Sequence, residues 1–254
     1  MIKGLHTAAS SMLATRRQLN LRTDNLANVN TSGFKREEGI KESFPEMVLS
    51  RLEKGKTPRT IGSLGTGVRL RESYTDFSQG ELKHTDNDLD LALKGQGMFV
   101  VETPEGEAYT RNGNFALNNQ QQIVTQQGYP VLGEDGEPLQ TINDREINID
   151  NNGQLYLGGL EGNQFQIVDI PQEEALEKRG DNLYQVAEDV EMEVEDAEDY
   201  QVLQGYLEGS NVNIVKEMTG MIETNRLYEV NQKVIQNHDS TLDQAVNQVG
   251  RVRG

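Results

Sequence analysis

Three evenly spaced carboxylates are the first residues in this sequence that could do chemistry. Asp86, Asp88 and Asp90 have the spacing of the first three calcium ligands of an EF-hand loop. Such a loop also needs a glycine at its sixth position and a bidentate glutamate at its twelfth, where this chain has Leu91 and Gly97. The pattern therefore favours a solvated strand entry over a calcium site.

Other catalytic or cofactor patterns are incomplete. Gly65 and Gly67 form a Gly-x-Gly without the third glycine or the preceding strand of a phosphate-binding loop. The histidines, His6, His84 and His238, lie in different segments, and the chain has no cysteine. We therefore predict no catalytic residues, no metal site and no cofactor, so that the protein is not an enzyme.

The composition limits the classes of protein that fit. The chain has 254 residues, enough for one or two domains, but only 35% of them are apolar and none is tryptophan. No apolar run reaches the length of a membrane span, and the first residues are too polar for a cleaved signal peptide. The formal net charge of -17 argues against binding nucleic acid. We expect no nucleic-acid partner and no membrane insertion.

The C-terminal fifth of the chain has the clearest periodicity. From Glu208 to Val249 an apolar residue returns every seven positions, which predicts a long helix with a coiled-coil seam. The seam residues are Ile214, Met221, Tyr228, Ile235, Leu242 and Val249. The expected second row, apolar at its ends and polar in the middle, is Met218, Asn225, Gln232, Asp239 and Val246.

The N-terminus carries a matching seam. Leu5, Met12, Leu19 and Leu26 recur at the same interval. Each helix could lie separately on a globular core. Because two similar helices stand at opposite ends, we instead predict one discontinuous helical domain, built from residues 1–35 and 206–254, with the remainder inserted between them.

The middle of the chain changes to a period of two. Between residues 76 and 205, short alternating runs are separated by turn sequences such as Asn112-Gly113 and Asn152-Gly153. They predict a central all-β domain of short antiparallel strands, with edge strands at Asn182–Ala187 and Val190–Val194. Residues 36–75 are interpreted as an extended connector with a short helix at Phe44–Leu52. The predicted fold class is therefore α+β.

Several ordered blocks resemble the bacterial flagellar rod and hook protein family. In chain order they are Asn25-Leu26-Ala27-Asn28-Val29-Asn30-Thr31-Ser32-Gly33-Phe34-Lys35, Gly65-Thr66-Gly67-Val68, Phe77-Ser78-Gln79-Gly80-Glu81-Leu82, Asp90-Leu91-Ala92-Leu93-Lys94-Gly95-Gln96-Gly97-Met98-Phe99, Tyr109-Thr110-Arg111-Asn112-Gly113-Asn114-Phe115, Gly205-Tyr206-Leu207-Glu208-Gly209-Ser210-Asn211-Val212-Asn213 and Glu223-Thr224-Asn225-Arg226-Leu227-Tyr228-Glu229. The match is closest to rod proteins of the distal type. The residues that carry the family signature are Asn25, Leu26, Ala27, Asn28, Asn30, Gly33, Phe34, Lys35, Asn211, Asn213 and Tyr228.

The resemblance implies a structural subunit of the flagellar basal-body rod. Such a subunit is exported by the flagellar type III apparatus without a cleaved signal, and its terminal helices polymerise into a hollow drive shaft. Its implied partners are copies of itself, other rod subunits, hook subunits and the export apparatus. The alternative is a cell-wall hydrolase or binding module associated with the flagellum, for which the three aspartates are the clustered candidates.

Overall fold

A computed structural model describes residues 2–51, 59–141, 147–172, 175–187, 190, 194–197 and 199–247. The chain divides into two compact units. The first contains Met1–Leu26, Glu37–Tyr74 and Ile214–Gly254, and the second contains Ala27–Arg36 and Thr75–Asn213. Helices at both ends and many short antiparallel strands between them confirm the α+β fold class. The domain boundaries given above stay a prediction.

The first unit contains both helices and most of four strands. Its elements are α1 (Ile2–Ala27), β1 (Arg36–Ser43), β2 (Met47–Arg51), β3 (Arg59–Leu64), β4 (Val68–Asp76) and α2 (Ile214–Asn247). Strand β1 pairs with β4, and β2 pairs with β3. In the described part of the chain, neither helix is long and apolar enough to cross a membrane.

One side of α1 packs on the strands of this unit. A Cβ atom at Gly39 of β1 would lie 2.9 Å from Leu21 Cδ1 and 2.8 Å from Leu70 Cδ1, so these two leucines close over the glycine. The Thr7 hydroxyl donates to the Thr66 carbonyl at 3.4 Å. Because this side of α1 is covered by strands, α2 contacts a different side of the helix.

The short helix predicted at Phe44–Leu52 is wrong. Met47–Arg51 form β2, which pairs antiparallel with β3 from Met47 opposite Leu64 to Arg51 opposite Arg59. A nine-residue segment is too short to be stable as an isolated helix, whereas the neighbouring strand satisfies its backbone groups. Leu52 lies outside the described residues.

The described residues of the second unit form fifteen strands. They are β5 (Leu82–His84), β6 (Leu91–Gly95), β7 (Met98–Thr103), β8 (Gly106–Thr110), β9 (Ala116–Leu117), β10 (Ile123–Val124), β11 (Ile147–Ile149), β12 (Gln154–Leu157), β13 (Leu160–Gln164), β14 (Ile167–Asp169), β15 (Leu176–Gly180), β16 (Leu183–Val186), β17 (Glu195–Asp196), β18 (Tyr200–Gln204) and β19 (Tyr206–Glu208).

The strands form one six-stranded sheet and several smaller ones. The order in the large sheet is β15-β16-β8-β7-β14-β17, and its described neighbours pair antiparallel. The smaller sheets are β11-β12-β13, β10-β9, β18-β6 and β19-β5. Edge strand β17 contains only Glu195 and Asp196, and charged side chains at an edge oppose pairing with another chain. The predicted strand Val190–Val194 lies mostly outside the described residues.

The C-terminal helix begins later than the sequence periodicity indicates. It starts at Ile214, not at Glu208. Tyr206–Glu208 instead form β19, whose residues pair with Leu82–His84, because the sheet satisfies backbone groups that a helix end would leave without partners. Tyr200–Gln204 likewise pair with β6. The first residues of the predicted C-terminal block, 206–213, therefore belong to the β unit.

The interior of the second unit contains three interlocking phenylalanines. The ring centroid of Phe99 lies 5.2 Å from that of Phe115 and 6.0 Å from that of Phe165, with edge-to-face geometry in both pairs. Phe99 has no exposed surface. Around these rings pack the buried side chains of Leu91, Leu93, Val101, Ile123, Leu139, Leu155 and Ile167.

We expect Phe99→Ala to lower the free energy of unfolding of this unit by about 3–5 kcal/mol, because it removes a buried ring and leaves a cavity. Urea denaturation followed by circular dichroism measures the change. Leu160→Ala is the matched control, since the Leu160 side chain is 61% exposed. Equal effects at the two positions would contradict the placement of this core.

Candidate functional site

The two terminal helices pair within the first unit. Asn231 Nδ2 donates to Ser11 Oγ at 2.9 Å, and Arg22 Nη1 donates to Glu217 Oε2 at 2.9 Å. His238 lies against Gly4. Residue numbers rise along α1 as those of their partners fall along α2, so the helices run antiparallel.

Most predicted seam residues lie on the inner sides of these helices. Tyr228, like the other residues of its row from Met221 to Leu242, is half-buried, whereas Ile214 is 45% exposed. The half-buried members are Leu5, Met12, Leu19, Leu26, Met221, Tyr228, Ile235 and Leu242. Val249 lies outside the described residues. The role of this row in assembly stays a prediction.

The second row expected on α2 is exposed and does not pack against α1. Met218 and Val246, its apolar ends, are 51% and 72% exposed. The row that accompanies the seam is one position earlier and consists of Glu217, Thr224, Asn231, His238 and Ala245. A residue three positions after a seam residue and one four positions after it both lie beside the seam, so periodicity alone does not distinguish them. In the sequence alone, the apolar residues at the two ends of the exposed row, Met218 and Val246, favour that row as part of the seam.

Helix α2 also carries apolar side chains that are more than a third exposed in the described structure. Two groups have the same i, i+3, i+7 spacing, so each forms a stripe along the helix. The first stripe is Val215, Met218 and Ile222, which are 74%, 51% and 54% exposed. The second stripe is Leu227, Val230 and Val234, which are 51%, 55% and 37% exposed.

A buried lysine marks the centre of a second site, inside the β unit. Lys35 has 1% of its surface exposed, and its ammonium group lies 2.6 Å from Glu208 Oε1. It also donates to the carbonyl oxygens of Phe77 and Ser78, at 3.2 and 2.9 Å. Burial lowers the pKa of Lys35 below its ordinary value, while the Glu208 carboxylate opposes that shift. Three acceptors thus surround a charge that has left water.

Glu208 connects the lysine to two further segments. Its Oε1 accepts the backbone N–H of Gly80 at 2.7 Å, and its Oε2 lies 3.6 Å from Arg111 Nη1. Arg111 Nη2 donates to the Gly95 carbonyl at 2.8 Å. The cluster therefore joins Lys35, Gly80, Arg111 and Glu208, which come from four of the segments that carry the family resemblance or adjoin it.

The signature residues next to Lys35 are also fixed by hydrogen bonds or close packing. Gly33 donates its N–H to the Glu208 carbonyl at 2.8 Å, and its φ of +68° favours glycine. A Cβ atom there would lie 2.5 Å from the backbone of Asn112. Phe34 is buried, and the Lys178 ammonium lies 4.0 Å from its ring centroid. The short loop after α1 is therefore held tightly to the β unit.

Asn211 makes a similar connection from the C-terminal block. Its Oδ1 accepts the backbone N–H of Arg36 at 2.8 Å, and its Nδ2 donates to the Asp76 carbonyl at 2.7 Å. Arg36 Nη2 lies 3.2 Å from Asp76 Oδ2. One asparagine side chain therefore satisfies backbone groups of two other segments.

The remaining signature residues are more dispersed. Asn25, at the end of α1, exchanges two hydrogen bonds with the backbone of Glu37, at 2.8 and 3.0 Å. Asn28 accepts a bond from Thr31 in the turn after the helix. Leu26 and Tyr228 are half-buried, and the exposed members of the set are Ala27, Asn30 and Asn213.

The three aspartates considered for calcium do not form a ligand cluster. Asp90 accepts hydrogen bonds from the side-chain amides of Asn87 and Asn114, at 3.0 and 3.1 Å. The Asp86 side chain is 88% exposed. Among the described residues, no three acidic or histidine side chains are grouped closely enough to hold a metal ion. The spacing in sequence therefore reflects a turn stabilised by Asp90.

An open cavity of about 960 Å³ lies in the second unit beside Arg111. Phe77, Met98 and Pro171 contribute apolar surface, and Gln79 contributes an amide. Of the described lining residues, Asp169 is the acidic one. Glycoside hydrolysis uses a pair of carboxyl groups on either side of the scissile bond. The described lining does not supply that pair.

Sequence reasoning missed Glu208, Arg111, Arg22 and Gly220 as site residues. Glu208 and Arg111 lie inside the blocks that carry the family resemblance. A charged residue enclosed by apolar residues and glycines, as in Tyr206-Leu207-Glu208-Gly209, is a signal for a buried ion pair. Arg22 carries no local signal, and the only signal at Gly220 is a glycine inside a helix, since each residue has a role only through the opposite helix.

Comparisons with known families agree with this arrangement. Residues 5–35 match the family described as flagella basal body rod protein, and residues 92–158 match the D1 domain of the flagellar hook protein FlgE/F/G. Residues 203–249 match the C-terminal part of the flagellar basal body rod FlgEFG protein.

Individual relatives match nearly the whole chain. The flagellar basal-body rod protein FlgG of Caulobacter vibrioides is 36% identical over 99% of this chain and 100% of its own length. The chain belongs to the flagellar basal-body rod and hook family. The FlgF rod protein of the same species and the Bacillus subtilis flagellar hook-basal body complex protein FlhO are each 34% identical, with 99% of this chain and 100% of their own lengths covered.

Membership in the rod and hook family confirms the resemblance described above. The chain is a structural subunit of the flagellar basal-body rod, and the hydrolase alternative has no support among these relatives, which are named as structural proteins rather than enzymes. Relatives named FlgG and FlgF match at similar identity. The distal-rod assignment therefore stays a prediction.

We expect Glu208→Leu to destabilise the β unit by about 3–5 kcal/mol, because it leaves the Lys35 ammonium buried without its counter-ion. Lys35→Met should destabilise the β unit by less, since the Glu208 carboxylate still has Arg111 and the Gly80 N–H as partners. The double variant should recover at least about 1 kcal/mol relative to the sum of the single changes. Urea unfolding of the three variants measures the coupling.

Glu42→Gln serves as the control for this cycle. Glu42 pairs with Arg69 at 2.8 Å on the surface, where both side chains are well exposed. The unfolding midpoint of the Glu42→Gln variant should remain close to that of the unmodified protein. Strictly additive effects of Lys35→Met and Glu208→Leu would contradict a coupled buried pair.

Proposed function

We propose that this rod subunit polymerises helically through its terminal helices and that the polymer forms the wall of a hollow drive shaft. The observation that carries the proposal is the exposed apolar surface of α2. One copy covers the inner row of this helix with α1, yet it leaves both apolar stripes in solvent. Further copies of the chain are the natural cover for such stripes.

The size of the exposed surface supports this view. Helix α2 has 34 residues, so it extends for about 51 Å at about 1.5 Å per residue. The exposed apolar side chains from Val215 to Val234 extend over about 29 Å of this length, which marks an interaction surface rather than ordinary scatter. Burying each Val, Leu, Ile or Met would contribute about 1.5–3 kcal/mol before entropic costs.

The limited contact between α1 and α2 also favours assembly. Beside its one apolar row, the pair contains polar or small residues such as Ser11 and Asn231. A helix pair with half an apolar seam gains less from burial than a full coiled coil does. Neighbouring copies would supply the rest of the burial and would give the terminal helices their final stability.

Export and partners follow from family membership as further parts of the proposal. We infer that the chain crosses the cytoplasmic membrane through the flagellar type III apparatus without cleavage of a signal peptide. It then joins the basal body beyond the cytoplasmic membrane, where its neighbours are other rod subunits and hook subunits. The names of its relatives, flagellar basal-body rod proteins and a hook-basal body complex protein, support this assignment.

Electron microscopy and sedimentation of concentrated protein test the proposal. The unmodified chain should form tubes that sediment, whereas Leu227→Asp should remain soluble because a buried carboxylate opposes contact between copies. Leu160→Asp is the matched control, since Leu160 of β13 is 61% exposed and Leu227 is 51% exposed. Tubes formed equally well by Leu227→Asp and Ile222→Asp would contradict an α2 interface.

A further inference from the structure

Each terminal helix contains a single glycine, and each glycine receives a polar side chain from the other helix. A Cβ atom at Gly4 would lie 2.8 Å from His238 Nε2. A Cβ atom at Gly220 would lie 2.1 Å from Arg22 Nη1 and 2.3 Å from Arg22 Cζ. The two contacts are reciprocal, because α1 provides one glycine and one large side chain, and α2 provides the same.

The two contacts also fit the geometry of an α-helix. Residues 4 and 22 are eighteen positions apart on α1, as are residues 220 and 238 on α2. Eighteen residues make five full turns and span about 27 Å, so both contacts fall on the same face of each helix. The bond between Ser11 and Asn231 lies on the line between them.

The apolar rows alone do not distinguish one register of the helix pair from another. The seam residues recur every seven positions on both helices. Sliding one helix past the other by seven residues would again bring apolar rows together. After such a slide, Arg22 would meet a residue with a side chain instead of Gly220, and His238 would no longer face Gly4.

The contact at Gly220 is the stronger of the two. Arg22 is held by Glu217, whose side chain is only 4% exposed, at 2.9 Å. A methyl group at position 220 would displace the guanidinium and break this ion pair. The His238 ring has no such bond among the described residues and could rotate away from a methyl group at position 4.

We propose that these two glycine contacts determine the register in which α1 and α2 pair. Gly220, Arg22 and Glu217 form the main contact, and Gly4 with His238 forms the second. A mid-helix glycine is otherwise unfavourable, and here the missing side chain of Gly220 leaves room for the Arg22 guanidinium. If the proposed polymerisation holds, the same contacts also decide which residues of α2 face neighbouring copies.

Cysteine cross-linking of the dilute monomer measures the register directly, because the chain has no natural cysteine. The pair Ser11→Cys with Asn231→Cys should form a disulfide in high yield on oxidation. The pairs Ser11→Cys with Thr224→Cys and Ser11→Cys with His238→Cys report a slide of one heptad and should remain mostly open. Equal yields for the three pairs would overturn a unique register.

Gly220→Ala separates the proposal from a simple effect on helix propensity. Alanine favours the helix over glycine, so Gly220→Ala without a contact would raise the melting temperature by roughly 2–4 °C. We expect the opposite, a lower melting temperature, together with a fall in the 11–231 cross-link and a gain at 11–224 or 11–238. Thr219→Ala, on the exposed neighbouring position, is the control and should not lower the melting temperature.

The effect of Gly220→Ala on the melting temperature should change sign once Arg22 and Glu217 are removed. In the Arg22→Ala, Glu217→Ala background, Gly220→Ala should raise the melting temperature, since no guanidinium occupies the space. Stabilisation by Gly220→Ala in the unmodified chain would overturn the proposal. Because each readout uses the monomer, failure to form tubes bears on polymerisation alone and leaves the register test intact.

Discussion

The burial of α2 is the constraint on which the rest of the first unit depends. A helix of 34 residues with apolar side chains on several sides cannot satisfy all of them with one partner. Helix α1 is already covered on one side by strands, through Leu21 and Leu70, so it offers α2 only one narrow contact. The chain thus covers one side of α2 and leaves the other side open. An uncovered side of this kind is useful to a structural subunit and unfavourable in a protein that works alone.

The second unit holds segments that are distant in sequence together without a disulfide, since the chain has no cysteine. It does so with a buried charged cluster rather than with additional apolar surface. A buried ion pair gives little net stability, because both charges lose their hydration, but a missing partner is costly. Lys35 and Glu208 lie 2.6 Å apart. The pair therefore acts mainly by disfavouring arrangements in which the two segments are separated, because each of these leaves a buried charge without its partner.

Periodicity predicted the elements that local sequence determines. The seven-residue repeat of Met221, Tyr228, Ile235 and Leu242 identifies α2, and the turn sequences identify the β unit. The start of α2 and the strand at Met47–Arg51 could not be predicted in this way, because pairing with distant strands decides both. The row that packs beside the seam on α1 could not be predicted, for a related reason. Two adjacent rows satisfy the same period, and only the position of the opposite helix selects between them.

The residues that sequence reasoning missed share one physical property. Gly220 is unfavourable in a helix, and Glu208 is unfavourable in a buried strand, so each contradicts its local environment. Such residues have a reason only in their tertiary partners, Arg22 in one case and Lys35 in the other. In both, the partner lies more than a hundred residues away in sequence. A residue that opposes its local context inside a recognisable family block is therefore a good position to examine first for a long-range contact.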